Sequence, residues 1–126
     1  AEGYSGGGET MSLVMGMRPD LYTAYLQCSS PWDSAYEPVV QAKTPVYFVV
    51  GAHDEYYGSE PSEDAYNNLR ELYQQEGLSD EEIDDLLVLD VKDDSYFSDQ
   101  GVTNQHGQGG GLFVEDDVVM GWLLGK

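Results

Sequence analysis

The chain contains very few basic residues. Five lysines and arginines stand against 24 aspartates and glutamates, so the formal net charge is −19 at pH 7. Nucleic acids and anionic membrane surfaces carry the same sign of charge and would be repelled. We therefore expect no nucleic-acid partner, and a neutral or cationic small-molecule substrate rather than a polyanionic one. The same acidity would also serve solubility alone, whatever the function.

Cysteine and long apolar runs are scarce as well. Cys28 is the single cysteine, which excludes an intrachain disulfide, and its apolar neighbours predict a small buried side chain. No stretch approaches the roughly 20 apolar residues that a membrane span needs. No signal peptide is visible, so the localisation, cytoplasmic or secreted, stays open.

Apolar residues nevertheless make up 40% of the 126 residues, which is enough for the core of a single domain over residues 1–126. Segments 21–28, 45–50 and 86–91 are rich in β-branched, leucine or aromatic residues and are predicted strands. The run 45–50 is apolar on both faces, which is typical of a central strand in a parallel sheet.

The segments between these strands have the patterns of helices. Helices are predicted over residues 9–17, 36–42, 61–76 and 112–124, and over a short stretch that opens with a capping box at Ser79–Glu82. We expect helix 9–17 to be largely buried, and Val114, Val118 and Trp122 to share one face of helix 112–124. Residues 98–111 read as a loop. This alternation predicts an α/β fold with about three parallel strands and covering helices.

A glycine-rich turn at the start of the chain carries the strongest chemical motif. Gly3-Tyr4-Ser5-Gly6-Gly7 fits the G-x-S-x-G pattern, in which a serine sits at the tip of a sharp turn with its hydroxyl exposed. The backbone N–H of Gly6 would then stabilise an oxyanion. A phosphate-binding loop is the rival interpretation, but the Gly-Lys-Ser/Thr ending of such loops is missing.

A serine nucleophile needs a base and an acid that orients the base. Asp54 follows the predicted strand 45–50, and His106 lies in the loop 98–111, so the chain order is serine, aspartate, histidine. His53 is expected to be a surface neighbour. Such a triad requires no cofactor and no metal ion, and we predict neither.

The stretch GYSGGGETMSLVMGMRPDLYTAYLQCSSPWD, with PVYFVVGAHDEYYGSEP and the later NQHG, resembles bacterial α/β-hydrolases of the esterase and polyhydroxyalkanoate-depolymerase-like kind. The resemblance covers nearly the whole chain and corresponds to the C-terminal half of such enzymes. It implies a truncated α/β-hydrolase fold that hydrolyses small or short-acyl esters. It also implies Ser5 as nucleophile, Asp54 as acid and His106 as general base.

One departure from this family concerns the strand that normally delivers the nucleophile. Only Ala1 and Glu2 precede Gly3, so we expect that strand to be absent, together with the loop that gives the second oxyanion donor. Either the chain is a fragment or it pairs with another chain. A half sheet would expose an apolar edge, which predicts a homo-oligomer that completes the sheet.

Two alternatives for the function stay open. A serine peptidase would use the same triad on amides. A catalytically poor remnant would instead act as an acidic interaction module, although the acidic run 80–99 lacks the spacing of a calcium loop and suits a solvated face better. Tyr4 and Trp32 are expected at the edge of the site, where they would line a substrate pocket or simply pack.

Overall fold

The computed structural model describes residues 2–4, 11, 13–15, 17–18, 24–30, 32, 35–54, 58–101, 105–106, 112–113 and 116–125. The strands are β1 (Glu2–Tyr4), β2 (Tyr25–Cys28), β3 (Val46–Gly51) and β4 (Leu87–Lys92). The helices are α1 (Glu37–Ala42), α2 (Glu60–Gln75), α3 (Asp80–Leu86), α4 (Asp94–Ser98) and α5 (Asp117–Leu124). Residues 11, 13–15, 17, 105–106 and 112–113 are also helical, so the prediction of a loop over 98–111 is wrong at Gln105 and His106.

The four strands form one parallel sheet in the order β1-β2-β3-β4. Tyr4 is paired with Cys28, and Cys28 with Val49. β1 is a fourth strand beside the three that the sequence predicts, and it corrects the expectation of no strand before Ser5. Three residues, one of them a glycine, are too few to show a strand pattern, so pairing with β2 makes this segment extended.

β3 is the central strand that the sequence predicts, since it pairs with β2 on one side and β4 on the other. All six of its residues are buried. Val46 and Phe48 contribute to one hydrophobic cluster, whereas Tyr47 and Val49 contribute to a second. This alternation places one cluster on each face of the sheet, because successive side chains of a strand point to opposite faces.

Helices cover both faces. On the first face the sheet packs against residues of α1, α2 and α3, and the buried core there comprises Met15, Tyr25, Trp32, Val39, Val40, Val46, Phe48, Ala65, Leu69, Tyr73, Ile83 and Leu87. On the second face it packs against α4 and α5, and the buried core comprises Leu26, Cys28, Tyr47, Val49, Phe97, Phe113 and Val119. Cys28 is fully buried, as predicted.

Several helices differ from the sequence prediction. The described residues of the predicted helix 9–17 are less buried than expected. Met15 is fully buried, but Leu13 is 48% exposed and Met17 is 71% exposed. No helix was predicted where α4 lies. α4 forms because the Asp93 side chain accepts the N–H of Tyr96 and caps a single turn, while Phe97 enters the core. The predicted capping box at Ser79 and Glu82 is confirmed.

The helix predicted over 112–124 is helical at residues 112–113 but interrupted at Asp116, and α5 buries a different face from the one expected. Asp116 accepts the N–H groups of Val118 and Val119, so the helix starts at Asp117. Val119 is then fully buried and Val118 is 72% exposed, which overturns the expected burial of Val118. Trp122 does face the sheet, with its ring 5.3 Å from that of Tyr47. Val114 lies outside the described residues.

Candidate active site

Asp54 lies just beyond the carboxyl end of β3. Its N–H donates to the carbonyl of Gly51 at 3.2 Å, and the N–H of Ala52 donates to the carbonyl of Lys92 at 2.7 Å, so the turn is tied to the ends of β3 and β4. The Asp54 side chain has no solvent exposure. Among the acidic residues that the structure describes, Asp54 alone is buried. Burial of a carboxylate is costly unless polar groups bind it, so Asp54 requires polar partners.

His106 is such a partner. Its Nδ1 lies 2.9 Å from Oδ2 of Asp54, and its side chain is 16% exposed. Because a carboxylate oxygen only accepts hydrogen bonds, the Nδ1 of His106 donates, and the neutral ring keeps its lone pair at Nε2. A histidine held in this tautomer by a buried carboxylate can act as a general base through Nε2.

Tyr4, the last residue of β1, completes the described part of this region. Its ring stacks on that of His106, with centroids 5.7 Å apart and planes inclined by 27°. Parallel strands end at the same edge of a sheet, so β1 and β3 bring Tyr4 to the face and Asp54 to Nδ1 of one imidazole. Two segments separated by about half the chain therefore converge on His106.

Of the remaining predicted site residues, the structure describes only Trp32. Ser5 and Gly6 lie outside the described residues, and Ser5 directly follows Tyr4 in the chain. Trp32 is only 8% exposed and packs in the core of the first face, with its ring about equally distant from Tyr36 (6.0 Å) and Phe48 (6.1 Å). Its indole N–H donates to the carbonyl of Ala35 at 3.4 Å. The substrate-binding role of Trp32 stays a prediction.

A polar bridge beside the pair of Asp54 and His106 was not predicted from the sequence. The N–H of His53 donates to Oε1 of Gln105 at 3.0 Å, and Nε2 of Gln105 donates to Oδ1 of Asp94 at 2.7 Å. The ring of His53 returns to the same Asp94 oxygen, with Nδ1 at 2.7 Å. The only signal in the sequence is adjacency, because His53 precedes Asp54 and Gln105 precedes His106.

The charges in this bridge support each other. The hydrogen bond to Asp94, followed by its negative charge, raises the pKa of His53 above its ordinary value. In turn the hydrogen bonds from His53 and from Gln105 lower the pKa of Asp94. His53 is exposed, as expected from the sequence, with 74% of its side chain accessible. The pair is therefore a surface ion pair attached to a buried amide.

Neither a metal-binding group nor a membrane-spanning helix occurs among the described residues. In this part of the chain no group of three or more His, Cys, Asp or Glu side chains is arranged to hold a metal ion. Two aspartates of the acidic run 80–99 instead contact Arg70, Asp84 at 3.0 Å and Asp80 at 3.2 Å. Over the same residues, no helix has the length and apolar character needed to cross a membrane.

Comparison with known proteins gives one informative result. No protein-family model matches the chain, and no curated protein is similar to it in sequence. A solved structure described as a thermostable esterase superposes on 98% of the chain with a TM-score of 0.72 and 18% sequence identity. The chain spans 29% of the length of that structure. This likeness shows the fold, which is an α/β fold with a parallel sheet and covering helices.

Proposed function

We propose that this chain supplies the nucleophile, acid and base of a hydrolase that cleaves carboxylic esters, with Ser5, Asp54 and His106 in those roles. One observation carries the proposal. The buried carboxylate of Asp54 holds Nδ1 of His106 at 2.9 Å, at the edge of the sheet where β1 ends one residue before Ser5. The stacking of Tyr4 on His106 brings the residue bonded to Ser5 within contact of the base.

The chemistry is a two-step acyl transfer. Nε2 of His106 takes the proton of the Ser5 hydroxyl as its oxygen attacks the ester carbonyl, and Asp54 stabilises the imidazolium that forms. The N–H of Gly6 donates to the oxyanion of the tetrahedral intermediate. Collapse of this intermediate breaks the bond to the alcohol, which leaves with the proton from His106. Water, deprotonated by His106, then attacks the acyl-serine and releases the acid.

The substrate class follows from charge and from the resemblance to esterases. A chain of net charge −19 attracts cations and disfavours polyanions, so neutral esters with short acyl groups suit it. Hydroxyalkanoate esters belong to this class and agree with the resemblance to depolymerase-like hydrolases. Faster turnover of dipeptide amides than of p-nitrophenyl esters of the same acyl length would contradict the ester assignment.

The nucleophile is tested by labelling and by substitution. A fluorophosphonate probe should label the intact chain at Ser5, as located by mass spectrometry of the peptides. Ser5→Ala should abolish labelling and lower kcat for p-nitrophenyl acetate by on the order of 10⁶-fold, the scale seen when a triad nucleophile is removed. Ser98→Ala is the matched control, because Ser98 is exposed and its hydroxyl donates only to the carbonyl of Ser95. Unchanged labelling of Ser5→Ala would refute the proposed function.

A further inference from the structure

We propose that Gln105 is a positioning residue, which holds the turn of Asp54 against the helical segment 105–106 and so fixes the contact between Asp54 and His106. The inference rests on the proposed function where catalysis is the readout. It concerns the bridge formed by Gln105, Asp94 and His53, in which Gln105 is 7% exposed and contacts both other members. None of these three residues is expected to touch the substrate.

The geometry gives two connections between the turn of Asp54 and the helical segment 105–106. The N–H of His53 donates to Gln105 at 3.0 Å, and the next residue in each segment forms the 2.9 Å contact between Asp54 and His106. Two hydrogen bonds one residue apart restrict the relative orientation of the two segments more than one hydrogen bond does. Orientation matters because a displacement of about 1 Å at a catalytic group lowers a rate on the order of 10²-fold.

Gly51 makes room for the bridge. A Cβ atom at Gly51 would lie 2.3 Å from Oε1 of Gln105 and 2.9 Å from Cζ of Phe97. These separations are shorter than carbon and oxygen atoms tolerate, so the Gln105 carboxamide occupies the space that glycine leaves open. The last residue of β3 therefore sets the position of Gln105, which in turn contacts the loop following that strand.

The carboxamide suits this place because it donates and accepts at once. Its Oε1 accepts from the backbone of His53, while its Nε2 donates to the carboxylate of Asp94. A carboxylate here could still accept from His53 but would face the Asp94 carboxylate without a proton between them. Gln105→Glu therefore removes one hydrogen bond with little change in shape, and Asp94→Asn added to it restores a hydrogen bond in the opposite direction.

The experiment compares these variants in the intact chain. Gln105→Glu should lower kcat for p-nitrophenyl acetate by about 10- to 100-fold with KM changed by less than about threefold. The double variant Gln105→Glu with Asp94→Asn should recover most of the lost kcat, because the new amide donates to the new carboxylate. Gln100→Leu is the control, since this exposed amide donates to the carbonyl of Tyr96 and lies outside the bridge.

A second readout does not depend on catalysis. The proton on Nδ1 of His106, which is hydrogen-bonded to Asp54, should give a downfield resonance in ¹H NMR, to be assigned by its loss in His106→Asn. We expect this resonance to broaden by exchange with water in Gln105→Glu and to sharpen again in the double variant. A failure of Ser5 to react with fluorophosphonate would refute the proposed function and leave this measurement intact.

Three results would overturn the positioning role. The first is kcat and the His106 resonance both unchanged in Gln105→Glu. The second is a loss in Gln105→Glu that the added Asp94→Asn does not recover, which indicates general damage to the fold. The third is an equal loss in Gln100→Leu. Recovery in the double variant supports the role, because a merely structural defect is not repaired by exchanging a donor for an acceptor.

Discussion

At the scale of single residues, two histidine–aspartate pairs lie side by side with opposite environments. Asp54 is buried beneath His106, whereas 63% of the Asp94 side chain and 74% of the His53 side chain are exposed. Water and salt screen the exposed pair, so it contributes little to stability. The buried pair has no such screening, and it is the one placed at the convergence of β1 and β3. Burial therefore distinguishes the candidate catalytic pair from the supporting one.

The exposed pair is testable by titration. The pKa of His53 should lie above its ordinary value of 6.5, because the hydrogen bond to Asp94 and the negative charge of that residue favour the charged ring. Any stabilisation from protonated His53 is therefore complete below 6.5 and disappears as the pH rises through the raised pKa. ¹H–¹³C NMR titration of the imidazole measures this shift.

Asp94→Asn should return the pKa of His53 towards its ordinary value. Asp99→Asn removes an exposed acid from the same segment and serves as the control. If both variants titrate like the parent chain, the contact between His53 and Asp94 is not formed in solution.

At the scale of elements, α5 is anchored by one side chain. Asp116 accepts the N–H groups of Val118 (2.9 Å) and Val119 (3.1 Å), and also the hydroxyl of Tyr96 (3.0 Å). Lys92 of β4 lies 3.6 Å away, and its ammonium stands 4.7 Å from the centroid of the Tyr96 ring. The residue that starts α5 thus joins this helix to α4 and to the edge of the sheet.

Loss of this cap should destabilise the chain. Asp116→Ala is expected to lower the free energy of unfolding by about 1–2 kcal/mol, since it leaves two N–H groups of the first turn without their acceptor. Urea denaturation followed by circular dichroism measures the change. Asp117→Ala removes the neighbouring exposed acid without removing the cap, so an equal loss in both variants would rule out capping as the cause.

At the scale of the whole molecule, apolar surface and charge act against each other. Among the residues that the structure describes, four large apolar side chains are exposed, namely Leu13 (48%), Met17 (71%), Val118 (72%) and Leu124 (80%). Apolar surface of this kind favours association with another chain. A net charge of −19 repels a second copy at the same time, and salt screens this repulsion.

We therefore predict a homo-oligomer whose formation strengthens with salt. Sedimentation equilibrium at low micromolar concentration should show dimers or larger species, with the dissociation constant falling as NaCl is raised. Met17→Gln and Leu124→Gln together should weaken the association, whereas Gln74→Asn on the exposed side of α2 should not. A monomer at every salt concentration would contradict the prediction.

The sequence by itself determined the elements whose own residues carry a local pattern. The apolar run of β3 predicted a buried central strand, and Ser79 with Glu82 predicted the start of α3, because burial on both faces and a side-chain cap each leave a signal within a few residues. Ser5, Asp54 and His106 could be proposed as site residues for the same reason, since each lies in a motif or after a predicted strand.

Only the tertiary structure decided the contacts between those elements. β1 has no strand signal of its own and becomes extended by pairing with β2. Among many acidic residues, Asp54 is buried because the end of β3 brings it to His106, and the same approach joins His53 to Gln105. Each of these two contacts spans 52 residues of chain. The packing of segments far apart in the chain sets distances of that kind, and local propensity carries no information about it.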